Sequence, residues 1–172
     1  MTDRIDLAAA TDQEIVAQAR EGREAAYREL IRRYERPVFS LILRMVRDHQ
    51  LAEDLAQETF IKALNAIASY RPEFKFSSWI FKIANNAAID HLRRRELDTL
   101  SIDGAPNATS ADDIEATALQ VGDRGESPLA ELEARELGTA IERAIGQLRP
   151  EYRSCIMLRH VEGMAYEEIA QL

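Results

Sequence analysis

Residues 51–64, LAEDLAQETFIKAL, place Glu53, Asp54, Gln57 and Glu58 beside Leu51, Leu55, Phe60 and Leu64. On a helix of about 3.6 residues per turn, positions three and four apart share a face, so this spacing separates a carboxylate-rich side from an apolar one. Three roles suit such acids: metal ligands, a docking surface for something basic, or an ordinary solvated helix face. A carboxylate-bridged metal site in a helical bundle uses Glu-x-x-His pairs on facing helices, and the sequence contains none. His49, His91 and His160 have no ligand spacing, and there is neither a G-x-x-x-x-G-K phosphate loop nor a nucleophile elbow. No catalytic, metal or cofactor residue is therefore assigned, and an enzyme is not expected.

A second group has the chemistry of nucleic-acid contact. Lys82, Asn86 and Arg93 fall at i, i+4 and i+11, on the face opposite Ile80, Ile83, Ala84 and Ala87. Asn pairs with base edges, while Lys and Arg neutralise phosphates. Arg93, Arg94 and Arg95 close this segment as a basic cluster, and Tyr70, Phe74, Phe76 and Trp79 lie just ahead of it. Such aromatics either stack on an unpaired base or seal a core; Trp79 reads as core, while Phe74 and Phe76 fit both. A third pattern, residues 153–161, Glu162-Gly163 and residues 165–172, has the form of a helix, a glycine turn and the opening of a second helix. That is the start of a helix-turn-helix, although plain helical hairpins share it.

The elements that carry these groups are all helical. Tyr27, Leu30, Ile31 and Tyr34 recur at helical spacing, Pro37 predicts a break, and Val38, Leu41, Ile42 and Met45 resume the pattern. Asp48 is a cap for the helix that carries residues 51–64 to about Ser69, and Tyr70-Arg71-Pro72 ends it. After a loop over residues 70–77, Ser77 is the expected N-cap of a helix from Ser78 to about Arg95. Residues 97–127 are rich in Gly, Pro, Asn, Thr and Ser and read as a flexible acidic linker, with a short helix admissible over the apolar patch at 114–121. Ser127-Pro128 starts a second helical region through Leu129, Leu132, Leu137, Ile141, Ile145 and Leu148; Pro150 starts another helix and residues 166–172 a further short one. No run alternates as a strand does. The expected fold is all-α: two small helical domains, residues 10–96 and 128–172, joined by the linker at 97–127.

Charge follows the same division. The chain of 172 residues has a net charge of −8, but residues 96–127 hold eight acids against Arg124, which leaves the remainder near −1. An acidic total therefore does not exclude a nucleic-acid partner. Cys155 is the only cysteine, which excludes an intrachain disulfide and a cysteine zinc cluster, and its place in CIML predicts buried packing. No apolar run nears the roughly 20 residues of a membrane span, and the acidic start MTDRIDLAAATDQEI does not read as a secretory signal. A cytoplasmic location without membrane insertion is expected.

Taken in order, LAEDLAQETFIKAL, Y-R-P, SSWIFKIANNAAIDHLRRR, the acidic linker and LRPEYRSCIMLRHVEGMAYEEIAQL resemble a bacterial RNA polymerase sigma factor of the extracytoplasmic-function (ECF) type, in the sigma-70 family, from about Thr11 onward. The resemblance implies that residues 10–96 are sigma region 2. Glu53, Asp54, Gln57, Glu58 and Lys62 would meet the clamp helices of the polymerase β′ subunit, with Leu55 and Phe60 holding the segment to its own domain. Phe74, Phe76, Ser77, Ser78, Lys82, Asn85, Asn86, Arg93, Arg94 and Arg95 would read and open the −10 promoter element, a flipped base entering the loop at 74–78. Unstacking a base costs a few kcal/mol, offset by pocket contacts, so selection and opening would share one site without ATP. The linker would run toward the polymerase active-site channel, and residues 128–172 would be region 4, meeting the β flap and, through Tyr166 and Glu167, the −35 element.

Two departures accompany the resemblance. Ala165 stands where Ser or Thr is common, which weakens that helix cap by roughly 1 kcal/mol, and the sequence stops at Leu172, ahead of the expected turn and recognition helix, so that as written it would not read a −35 element in the family's manner. The family also implies an anti-sigma factor as a partner. Two other readings fit parts of the sequence: a dimeric helix-turn-helix regulator acting without polymerase, and a helical carboxylate metalloprotein.

Overall fold

A computed structural model describes residues 7–102 and 128–171, with side chains described for residues 7–95 and 135–171. Thr11 opens the first helix, α1 (Asp12–Arg20), through a reciprocal cap: its hydroxyl accepts the Glu14 N–H while the Glu14 carboxylate accepts the Thr11 N–H at 2.7 Å. Helix α2 (Glu24–Val46) ends at Arg47, a non-glycine residue in the left-handed region at φ 57°. Asp48 then accepts the Leu51 N–H at 3.0 Å and starts α3 (His49–Ala66), as its position in the sequence predicts. A 3-10 turn, Ile67–Ser69, follows. Its exposed carbonyls are met from α1, where the Arg20 guanidinium donates to the carbonyls of Ile67, Ala68 and Tyr70. The remaining helices are α4 (Phe76–Ile102), α5 (Pro128–Gly146), α6 (Pro150–His160) and α7 (Tyr166–Ile169), and the described residues contain no strand.

Three expectations are corrected here. Pro37 does not break the helix; it lies inside α2. Proline there removes one helical hydrogen bond and crowds the preceding turn, at about 3 kcal/mol. The stripe Leu30, Val38, Leu41, Ile42 and Met45 nevertheless stays on one fully buried face against α1, α3 and α4, and that burial outweighs the loss. Ser77 is not the cap of α4, because the helix begins at Phe76, with the Trp79 N–H donating to the Lys75 carbonyl at 3.2 Å. Starting there turns Phe76 into the core, edge-on to Tyr34 and Tyr70 at ring separations of 5.2 and 5.6 Å. Cys155 is exposed: α6 buries Arg153, Ser154, Met157 and Leu158, which leaves Cys155 on its outer side.

Helix α4 also continues past Arg95 to Ile102. The patch at 114–121 and the cap residue Ser127 lie outside the described residues. On the C-terminal side, Pro150 opens α6 as predicted, and Gly163, at φ 67°, makes the turn into α7. At Ala165 no side-chain cap forms, although Glu168 still accepts the Ala165 N–H at 2.9 Å.

One hydrophobic core joins the N-terminal helices to Met157, Leu158 and Met164 of the C-terminal region. The two regions are further tied by Arg44, which meets Glu142 at 2.9 Å, and by Arg153, whose guanidinium donates to the carbonyls of Met45, Gly146 and Leu148.

Arg32 and Arg33 both donate to Glu29, and these guanidiniums hold its carboxyl at about 2 against a usual 4.5. The folded chain therefore binds that proton more weakly than the unfolded one, so the contribution is complete above about pH 4.5 and is lost as pH falls toward 2. Glu29→Gln is expected to lower the melting temperature at neutral pH, with the gap from the parent closing as an acid titration followed by circular dichroism passes through that window. Helix α3 gives a second expectation. Phe60→Ala costs about 3–5 kcal/mol in urea unfolding, whereas Asp54→Asn, on the exposed side, stays within about 0.5 kcal/mol.

Candidate docking and nucleic-acid surfaces

Helix α3 divides as its spacing predicts. Ala52, Leu55, Ala56, Thr59, Phe60 and Ala63 face the core, and Glu53, Asp54, Gln57 and Glu58 face solvent. The Thr59 hydroxyl, on the buried side, donates to the Leu55 carbonyl at 2.7 Å, so no polar atom there is left without a partner. On the outer side Lys62 pairs with Glu58 at 2.6 Å and His49 approaches Glu53 at 3.6 Å, both one helical turn apart. Such exposed pairs contribute little to stability, which leaves the face available to a partner. Ile61 was missed in the sequence. It is 61% exposed and lies one turn from Gln57 and Glu58, an apolar residue set in the acidic face. Its signal was its offset from the 51, 55, 60, 64 stripe. Among the described residues no cluster of His, Cys, Asp and Glu is arranged to hold a metal.

The loop after α3 forms an open pocket of about 390 Å³ lined by Tyr70, Arg71, Pro72, Glu73 and Phe74. Tyr70 shapes it from beneath: the ring packs on Phe76 and Trp79, and its hydroxyl donates to the Phe74 carbonyl at 2.6 Å. Gln13 fixes the outer wall by donating to the Pro72 carbonyl at 2.9 Å. Phe74 is 49% exposed, whereas Phe76 is 3% exposed. The two rings thus separate: Phe74 stands exposed at the pocket, and Phe76 is a core residue that supports the pocket floor. Trp79 is half-buried against Phe76, as expected for a core role.

Helix α4 brings Ser78, Lys82, Asn85 and Arg93 onto one strip, and residues of α6, α7 and Gln171 meet that strip. Arg93 donates to Glu151 at 2.9 Å, Lys82 to the Gln171 carbonyl at 2.6 Å, and Ser78 to Glu168 at 3.4 Å. The Ser154 hydroxyl donates to Asn85 Oδ1 at 2.5 Å, and Asn85 is buried. Lys75 adds an ion pair to Glu168 at 3.1 Å. Hydrogen bonds hold both carboxylates below their usual range, Glu151 chiefly through its own backbone N–H and then Arg93, Glu168 through the Ala165 N–H and then Lys75. Asn86, Arg93, Arg94 and Arg95 are exposed, and Ser77, Ser78 and Lys82 are half-buried. Sequence reasoning placed Asn85 on a DNA-facing surface; in this arrangement it is enclosed, because a partner strip from the same chain lies over it.

At the far end of the chain, Tyr166 and Glu167 are exposed at the start of α7, with the Arg159 guanidinium 4.7 Å from the Tyr166 ring. Leu137 and Ile141, one turn apart on α5, are 62% and 45% exposed. Glu162 is half-buried near Arg44, and burial pushes its carboxyl up to about 7. Among the described residues no helix is long and apolar enough to cross a membrane.

Comparison with known proteins agrees with the two-part layout. The family described as Sigma-70 region 2 matches residues 30–97, and that described as Sigma-70, region 4 matches residues 138–172. RNA polymerase sigma-H factor of Pseudomonas aeruginosa is 34% identical over 163 residues, which cover 92% of this chain and 80% of that one. ECF RNA polymerase sigma-E factor of Escherichia coli K12 is 32% identical over 165 residues, with coverages of 94% and 82%. The fold is shared with CnrH, solved in complex with the cytosolic domain of CnrY, at a TM-score of 0.60 and 21% identity over 92% of this chain and 80% of that one. With both sigma regions present in order and relatives aligned along most of their length, this chain belongs to the sigma-70 family as an ECF-type sigma factor, an initiation subunit that gives RNA polymerase its promoter specificity.

Proposed function

We propose that the outer face of α3 is the core-polymerase contact and that the Tyr70–Phe74 pocket, together with α4, reads the −10 element. The observation that carries this reading is the division of α3: Leu55 and Phe60 are committed to the core while Glu53, Asp54, Gln57 and Glu58 stand outward together. A rigid acidic row suits the basic and polar surface of the β′ clamp helices. Charge complementarity there speeds encounter and sets register, and Ile61 supplies apolar contact within the same face. Lys62 lies at the edge of the row, joined to Glu58.

At the promoter, a base flipped from the non-template strand would enter the pocket and stack on Phe74, while Ser77, Ser78, Lys82, Asn85, Asn86 and the arginines at 93–95 contact the neighbouring strand. Phe76 acts from behind by holding Tyr70 and Trp79 in place. The chain supplies binding energy and catalyses no bond change. Residues 10–96, 97–127 and 128–172 divide the work: region 2, a linker along the active-site channel, and region 4. On region 4 the exposed Leu137 and Ile141 would offer an apolar spot to the β flap, and the exposed Tyr166 and Glu167 would contact the −35 element. An anti-sigma factor in the cytoplasm completes the set of partners.

Three measurements test this. In a pull-down with core polymerase, Asp54→Lys combined with Glu58→Lys is expected to reduce retention at least about tenfold, because like charges then face each other; unchanged retention overturns the α3 assignment. In transcription by the reconstituted holoenzyme across a genomic promoter library, Phe74→Ala is expected to slow open-complex formation by about 5- to 100-fold, the range of one lost base–aromatic stack. A loss confined to core binding, with normal opening once bound, removes Phe74 from the pocket role. A gel shift on duplex DNA without polymerase separates this reading from that of a free-standing dimeric regulator, which requires tight binding there.

A further inference from the structure

The loop that lines the open pocket draws on another helix for its shape. Within the loop, the Phe74 N–H closes one turn on the Arg71 carbonyl at 3.2 Å, and the Tyr70 hydroxyl returns to the Phe74 carbonyl. The carbonyls of Pro72 and Tyr70, both pocket-lining residues, are met instead by Gln13 and Arg20 of α1, which precede them by 59 and 50 residues. The Arg20 guanidinium also donates to the carbonyls of Ile67 and Ala68 at 3.1 and 3.2 Å, and it lies 5.9 Å from the centre of the Tyr70 ring. Gln13 and Arg20 are about two turns apart on one face of α1. That helix is fixed in turn. Ile15, Val16 and Ala19 are buried in the core, and Asp12 accepts from Arg33 at 2.9 Å and from the Tyr34 hydroxyl. Gln13 and Arg20 themselves are exposed, so their hydrogen bonds add little to the stability of the whole domain. What they fix is the loop.

We propose that Gln13 and Arg20 are positioning residues for promoter opening: α1 holds the backbone of the base pocket in its receiving shape before DNA arrives. This rests on the reading of the Tyr70–Phe74 pocket as the site of the flipped base. Fixing a backbone in one conformation opposes binding, so a loop that is loose in the free protein has to be ordered at the moment the base enters. A loop already held by α1 does not. The two side chains touch neither the base nor the polymerase face of α3; they act through the carbonyls of residues 67, 68, 70 and 72. Their effect therefore falls on the step in which the base leaves the stack, and core binding is untouched.

The test uses the full chain in holoenzyme, on a promoter active in the transcription assay. Arg20→Ala is expected to slow open-complex formation about tenfold and Gln13→Ala about threefold, with retention on core polymerase unchanged. Arg20→Lys falls between Arg20→Ala and the parent, because an ammonium donates to the same carbonyls without the planar fork. Arg28→Ala makes the same charge change where the guanidinium pairs with Glu24, and it matches the parent. The deciding readout is an abasic series, in which each base of the non-template strand through the −10 element is removed in turn. The position whose removal slows the parent most identifies the captured base. With that base absent, Arg20→Ala is expected to open the promoter as fast as the parent does, since an ordered loop then has nothing to receive. An Arg20→Ala defect of equal size with and without the base overturns the proposal, as does normal opening by Arg20→Ala. If circular dichroism shows that Arg20→Ala disturbs the fold, Gln13→Ala, which removes only the bond to Pro72, carries the same dependence on the base. Phe74→Ala separates the two ideas: slow opening by Phe74→Ala beside normal opening by Arg20→Ala and Gln13→Ala overturns the positioning role alone. A parent indifferent to every abasic site overturns the pocket reading itself.

Discussion

Every other α-helix of the N-terminal region leans on the buried side of α2. Helices α1, α3 and α4 pack along it and α6 reaches its end. The stripe from Leu30 to Met45 gives them a common surface, and the helix that carries it continues through Pro37. A break there would have split the surface into two shorter ones at an angle, and α3 and α4 would no longer share a floor. The missing hydrogen bond is a local cost set against burial distributed over more than two turns on either side. What α2 fixes is orientation. With Leu55 and Phe60 seated against the core, the carboxylates of α3 have only one direction in which to point.

The same logic orders the aromatic corner. Phe76 is buried, Tyr70 leans on it, and the Tyr70 hydroxyl holds the Phe74 carbonyl, so the half-exposed Phe74 ring stands at the rim of a pocket whose floor is core. A surface loop of five residues would otherwise be loose. Here it borrows rigidity from α1 through Gln13 and Arg20, which tie down the carbonyls of Pro72 and of residues 67, 68 and 70.

How much of this the sequence disclosed depends on whether the deciding interaction is local. The cap at Asp48, the proline starts at 128 and 150 and the glycine turn at 163 rest on backbone chemistry within a few residues, and each is found where its residue type puts it. The two faces of α3 were equally readable, because helical periodicity sorts them without knowledge of any neighbour. Errors arose where a distant surface decided. Burial of the α2 stripe overrode Pro37, contact with Tyr34 and Tyr70 drew α4 back to Phe76 in place of a Ser77 cap, and the choice of Met157 and Leu158 as the inner side of α6 turned Cys155 outward. The contacts of Arg44, Arg47 and Arg153 across roughly a hundred residues of sequence had no local signal at all.

Asn85 and Ser154 meet at 2.5 Å in a buried place with no room for a looser fit. Neither position is free to vary by itself: a bulkier, shorter or charged side chain at one leaves a clash, a gap or a stranded polar atom at the other. Over generations the two sites should drift together, and a lineage that changes either one alone loosens the seat of α6 on α4.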